Sequence, residues 1–242
     1  MIAVAIGSAL LPNLSGAVAQ DNDTRFRTQL VGGLRLAGFL LIPTAIAVWV
    51  WAEPLLALLF RVGRFTWADV EATGLVVRYL VPFLLAVAGA NIVKRAFYAL
   101  GDRVTLLVVG AGGLVMTAGL GFVLASRMGI AGLALALSLS TGVQFLAYLV
   151  VLHVRQGADS GLPNLLGPFL RMTLAALPMG VWLYALYPLG DWAAGPWKWE
   201  NWAVSILGGT VGAGLYLAVA HVLGIDEMAT LRSRASVWLR AR

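Results

Sequence analysis

The chain contains no cysteine. Thiol catalysis, disulfides and thiolate metal sites are therefore excluded. It has only two histidines, His153 and His221. Neither has a companion at a metal-ligand spacing such as H-E-x-x-H. No serine stands in a G-x-S-x-G context. These absences leave no set of residues for enzyme catalysis, for a metal or for a cofactor, so none is expected. Charge is also scarce. Asp, Glu, Lys and Arg make up 12% of the 242 residues, about half the share found in soluble domains. A soluble globule of this length could not cover its core with so little polar surface. A disordered chain and a nucleic-acid-binding module are excluded on the same ground.

What the chain has instead is long apolar runs. Ala, Val, Ile, Leu, Met, Phe, Trp and Tyr account for 60% of it. A membrane-spanning helix needs about 20 such residues. Charge-free stretches locate six. Residues 36–52 lie between Arg35 and Glu53, and the apolar pattern continues to Phe60. Residues 75–93, 104–126, 128–152, 172–190 and 201–225 follow. Residues 1–14 are apolar from the start but too short to cross, as if a helix began before them. Ala17-Val18-Ala19 offers the rival reading of a signal-peptidase site, although no basic residue precedes the run. A β-barrel would need alternating segments of about ten residues, and these runs are longer and continuous. The fold class is therefore all-α: a polytopic transmembrane bundle of six full spans plus a partial N-terminal one. The expected division is 1–155, with the partial helix and four spans, and 156–242, with two further spans and a basic tail.

The 17 basic residues outnumber the 11 acidic ones. In a membrane protein this excess reports orientation, because Lys and Arg collect in cytoplasmic loops. If the 15–35 loop is cytoplasmic, alternate loops carry Arg25, Arg27, Arg35, Lys94, Arg95, Arg103, Arg155, Arg171, Arg232, Arg234, Arg240 and Arg242. The other side carries Arg61, Arg64, Arg78, Arg127 and Lys198. The C-terminus is then cytoplasmic. Met228 to Arg242 reads as an amphipathic interfacial helix or as a solvated tail.

Three prolines, Pro43, Pro82 and Pro178, fall inside spans. Each removes a backbone donor and kinks its helix, which serves either as a tolerated bend or as a gate. Gly113, Thr117 and Gly121, and likewise Gly208 and Gly212, form small-residue faces for close helix packing. Trp192, Trp197, Trp199 and Trp202 read as an interfacial aromatic belt. The acidic residues sit near span ends or in loops, so no buried carboxylate pair is expected. Ionisable and amide groups within spans are functional candidates. Arg78, Lys94 and Arg95 flank one helix, Asn91 lies one turn inside it, and Gln144 lies in the 128–152 span. Cations and amides of this kind suit a phosphate-bearing substrate. Anchoring by Lys94 and Arg95, and interhelical hydrogen bonding by Asn91 and Gln144, is the other reading.

Several segments, taken in order, resemble one family. They are Leu10-Leu11-Pro12-Asn13-Leu14-Ser15, Gly33-Leu34-Arg35-Leu36 opening the second helix with Pro43 inside it, and Leu59-Phe60-Arg61-Val62-Gly63-Arg64-Phe65-Thr66. Ala96-Phe97-Tyr98-Ala99-Leu100-Gly101-Asp102 and Gly129-Ile130-Ala131-Gly132 follow. Their order and spacing look like the MurJ/MviN lipid II flippases of the multidrug/oligosaccharidyl-lipid/polysaccharide exporter superfamily. The resemblance implies fourteen helices in two lobes around a cationic cavity, with the last two helices forming a lipid-tail groove. This chain would supply part of helix eight through helix fourteen, so a missing N-terminal lobe is expected, the chain being either a truncated product or in need of a partner lobe. The implied substrate is an undecaprenyl-pyrophosphate-linked precursor, carried by alternating access across the bacterial inner membrane. The family often has lysine where Asn91 stands, and Thr-Pro where this chain has Thr105-Leu106. A flippase for another polyprenyl-linked oligosaccharide of O-antigen type, or a non-transporting scaffold in cell-wall synthesis, are the alternatives.

Overall fold

The computed structural model describes residues 2–157 and 161–228, with side chains from residue 10 onward. Among the described residues every regular element is helical. The order is α1 (Ile2–Ala19), α2 (Asp23–Val50), α3 (Ala52–Phe60), α4 (Trp67–Ala99), α5 (Arg103–Met128), α6 (Ile130–Gln156), α7 (Leu166–Leu186) and α8 (Trp199–Val222). Six segments are long and apolar enough to cross a membrane: α2, α4, α5, α6, the stretch 163–189 built on α7, and α8.

α2 and α4 begin well before their uncharged runs. α2 opens at Asp23 rather than at Gly33. The Asn22 side chain accepts the Arg25 backbone N–H at 2.9 Å and caps it. α4 opens at Trp67 through a reciprocal cap: Asp69 accepts from the Thr66 N–H at 2.8 Å, and the Asp69 N–H meets the Thr66 hydroxyl at 3.4 Å. Charges therefore mark where a helix leaves the hydrocarbon, not where it ends. The apolar run 36–60 is not one helix either. Trp51 takes φ −106° and ψ 28° and separates α2 from α3. The turn between α5 and α6 narrows to Gly129, whose φ of 61° favours a residue without a Cβ.

Two compact units emerge, residues 1–38 with 79–166, and residues 39–78 with 167–242. In the first, α5 and α6 form a hairpin along the small-residue face. Gly113 leaves room for Gln144, which a Cβ would strike, and Gly132 lies against the Leu124 carbonyl. The Thr117 and Ser140 hydroxyls are 2.6 Å apart. The Ser138 hydroxyl donates to the Tyr79 carbonyl. The outer side of α5 is apolar and open, with Leu107, Leu114 and Phe122 exposed, as a lipid-facing helix requires.

The second unit packs Phe39, Trp51, Met172, Met179, Leu183 and Tyr216 into one core. Gly208 makes room for the Trp51 ring, and a Cβ at Gly212 would stand 3.0 Å from Met179. The Trp51 indole N–H donates to the Leu183 carbonyl at 2.7 Å. Pro43 lies inside α2 and cannot bond the carbonyl four residues back, that of Phe39. The Tyr216 hydroxyl donates to that same carbonyl at 2.8 Å. A smaller core joins Leu56, Ala57, Leu58, Val70 and Trp192. Trp192 thus leaves the expected belt and is buried, while Trp197, Trp199 and Trp202 stay exposed. The C-terminal tail from residue 229 lies outside the described residues.

Candidate functional site

α4 changes character along its C-terminal half. Ile92, Val93, Ala96 and Phe97 are fully buried. Asn91, Lys94, Arg95 and Tyr98 occupy the complementary stripe, at spacings of three and four residues, and are half-buried or exposed. The helical period therefore gathers an amide, two cations and a phenol on one face. The Lys94 ammonium sits 5.6 Å from the centre of the Tyr148 ring on α6. Tyr148 is buried, and its hydroxyl donates to the Leu106 carbonyl at 3.2 Å.

Among the described residues, the ion-paired acids of this unit, Asp23 and Asp102, pair with arginines outside that face. Asp102 caps α5 by accepting the Thr105 N–H at 3.1 Å, and it pairs with Arg155 from the end of α6. The Arg155 guanidinium also donates to the Thr105 hydroxyl at 3.1 Å. The hydrogen bonds from Thr105, with the Arg155 charge adding to them, hold the Asp102 carboxyl below its ordinary range. Arg27 donates to the Gln156 carbonyl at 3.0 Å and approaches Asp23 at 3.9 Å. Arg27 and Arg155 are thus committed to fastening helix ends.

Gln144 lies one turn before Tyr148 on α6. Its amide donates to the Val109 carbonyl at 3.3 Å, so the interhelical bond between α5 and α6 employs it. Arg78 belongs to the other unit. It donates to Glu53 at 2.6 Å and to the Trp49 carbonyl at 3.1 Å, with its guanidinium 6.0 Å from the Trp49 ring. Glu53, in the first turn of α3, is 7% exposed: a buried acid whose partner is a cation rather than a second carboxylate. Gly74 makes room for it, since a Cβ there would come within 2.9 Å of the Glu53 carboxylate. Arg78 is therefore an ion-paired residue.

Sequence reasoning missed Tyr148, Glu53 and the Asp102–Arg155 clamp. A signal for Glu53 existed: Glu53-Pro54 suits the first turn of a new helix, where an acid meets the helix dipole and proline needs no donor. Among the described residues no cluster of three or more His, Asp or Glu is placed to hold a metal.

Comparison with known proteins adds a family. A family profile described as lipid II flippase MurJ matches residues 1–197. The chain is 30% identical over 83% of its length to the lipid II flippase MurJ of Burkholderia cenocepacia, of which it covers 37%. It is 26% identical over 96% of its length to the probable lipid II flippase MurJ of Bdellovibrio bacteriovorus, covering 44% of it. The Vibrio cholerae counterpart is 28% identical over 93% of this chain, which spans 43% of that protein. The chain therefore spans less than half the length of these relatives. Six spans and bacterial relatives assign it to the bacterial inner membrane.

Proposed function

The chain belongs to the lipid II flippase MurJ family, and on that premise we propose that it forms the second lobe of a lipid II transporter. The observation that carries this reading is the face of α4 with Asn91, Lys94 and Arg95. Two cations there have no ion pair with a carboxylate among the described residues, and burying unpaired cations is costly unless an anion answers them. The pyrophosphate of a lipid-linked precursor is such an anion. Lys94 and Arg95 bind it, and Asn91 donates to its oxygens. Gln144 serves the packing of α5 on α6, and Arg78 is engaged by Glu53 and Trp49, so neither is assigned to the head. The division 1–155 and 156–242 separates the head-binding helices from a pair that holds the polyprenyl tail.

Because the chain covers under half of its relatives' length, the other wall of the cavity comes from a partner lobe. The excess of Lys and Arg on one set of loops supports a cytoplasmic C-terminus. Pro82 and Pro178, both exposed within α4 and α7, are the kinks left to act as gates, since Tyr216 covers the carbonyl freed by Pro43.

Binding of lipid II to the chain in nanodiscs tests the reading. Arg95→Ala and Lys94→Ala should each weaken binding about tenfold, the effect of losing one charge-assisted contact. They should also flatten its salt dependence. Unchanged binding in both variants would overturn the proposal.

A further inference from the structure

Lys94 carries a long flexible side chain, yet its ammonium has a defined seat. The seat is the Tyr148 ring, 1% exposed on α6. Three helices hold that ring. Its hydroxyl donates to Leu106 of α5 at 3.2 Å. Phe97 of α4 meets it with centroids 5.8 Å apart and planes tilted by 51°. α6 carries its backbone. Lys94, three residues before Phe97, places its ammonium 5.6 Å from the ring centre. That is within the range of about 6 Å at which the negative face of an aromatic ring attracts a cation.

The chemistry of the seat matters. A carboxylate at this position would fix the ammonium and cancel its charge. An aromatic ring fixes it and leaves the charge in place. Among the described residues Lys94 has no carboxylate partner: Asp102 is engaged by Arg155, and Asp23 lies beside Arg27. We propose that Tyr148 is the positioning residue for Lys94, fixing its ammonium on the α4 face while leaving its charge available to a phosphate-bearing head. This rests on the reading of that face as the head-binding surface.

Ring fluorination tests it. Phenylalanines with one to several ring fluorines at position 148 keep the shape of the side chain and weaken its negative face stepwise. The chain has two lysines, Lys94 and Lys198, so Lys198→Arg leaves Lys94 as the single lysine. Two quantities are read in lipid nanodiscs: the acylation rate of Lys94, by peptide mass, and the affinity for lipid II. Tyr148→Phe should stay within about twofold of the parent in both, because the ring remains. Along the fluorine series, acylation should rise and affinity should fall, by about fivefold in total. A flat series, with Lys94→Met still weakening lipid II binding, would overturn the positioning role and leave the head-binding reading intact. A series that moves acylation but not affinity would overturn it too. If Lys94→Met leaves lipid II affinity unchanged, this proposal falls, and if Arg95→Ala is silent as well the head-binding reading falls with it.

Discussion

Removing one oxygen from Tyr216 should expose how α2 tolerates its proline. Pro43 denies the Phe39 carbonyl its usual helical donor, and the Tyr216 hydroxyl supplies one from α8 at 2.8 Å. Tyr216 is 4% exposed, and its ring packs on Phe39 with centroids 5.3 Å apart. Tyr216→Phe keeps that ring contact and deletes only the donor. The carbonyl is then buried without a partner, which costs about 2 kcal/mol. Pro43→Ala restores a backbone N–H four residues on, so the same Tyr216→Phe change in that background should cost about 0.5 kcal/mol or less. The difference, about 1.5 kcal/mol, is the coupling between the two positions, a factor of roughly ten in the unfolding equilibrium. Unfolding of the four proteins of the cycle, titrated with a denaturing detergent in mixed micelles, measures it. Equal costs of Tyr216→Phe in both backgrounds would refute the pairing of proline and hydroxyl.

Further expectations follow from the ion pairs and the glycines. Arg78→Met strands the Glu53 carboxylate, whose side chain is 9% exposed, and should cost about 3 kcal/mol. Glu53→Gln leaves an arginine whose side chain is 34% exposed, and should cost about 1 kcal/mol; thermal unfolding in detergent that gave the reverse order would contradict the assignment. A Cβ at Gly132 would strike the Leu124 backbone carbonyl, whereas one at Gly142 meets nothing within 4 Å. Gly132→Ala should therefore cost about 2 kcal/mol, and Gly142→Ala should be neutral or stabilising by up to about 1 kcal/mol, as read by the same melts. The Asp102 carboxyl titrates below its ordinary value when folded. The stability it adds is present above the unfolded carboxylate pKa and is lost as pH falls through the lower folded value. Asp102→Asn should thus be destabilising at neutral pH, and its deficit should close only in strongly acidic solution.

The spans were legible because hydrocarbon forbids charge, and six uncharged runs became six crossing helices. Their ends were less so. Arg25 and Arg27 lie within α2, since a helix continues past the bilayer for as long as its caps allow. The packing faces were legible too, because spacing alone puts Gly113, Thr117 and Gly121 on one side. Pairings across the chain were not. Glu53 and Arg78 are 25 residues apart, and nothing local links them. Tyr148 reads as one more apolar residue until α4 is laid against it. The cationic pair Lys94–Arg95 was visible in sequence, but its lack of ion-paired carboxylates depends on Asp102 being engaged by Arg155.

The break at Trp51 bears on how the protein meets lipid. A helix unbroken from Asp23 to Phe60 would be about 57 Å long, beyond the roughly 45 Å of a bilayer with its headgroups. Ending α2 after its 28 residues gives about 42 Å. The indole of Trp51, bonded to Leu183 and flanked by Gly208, pins that end of α2 to α7 and α8. α2 therefore cannot slide past those two helices to follow a thicker or thinner membrane. Changes in acyl-chain length are met by the packed helices together, through tilt or local deformation of the bilayer, so lipid thickness becomes a variable that acts on the packed group rather than on α2 alone.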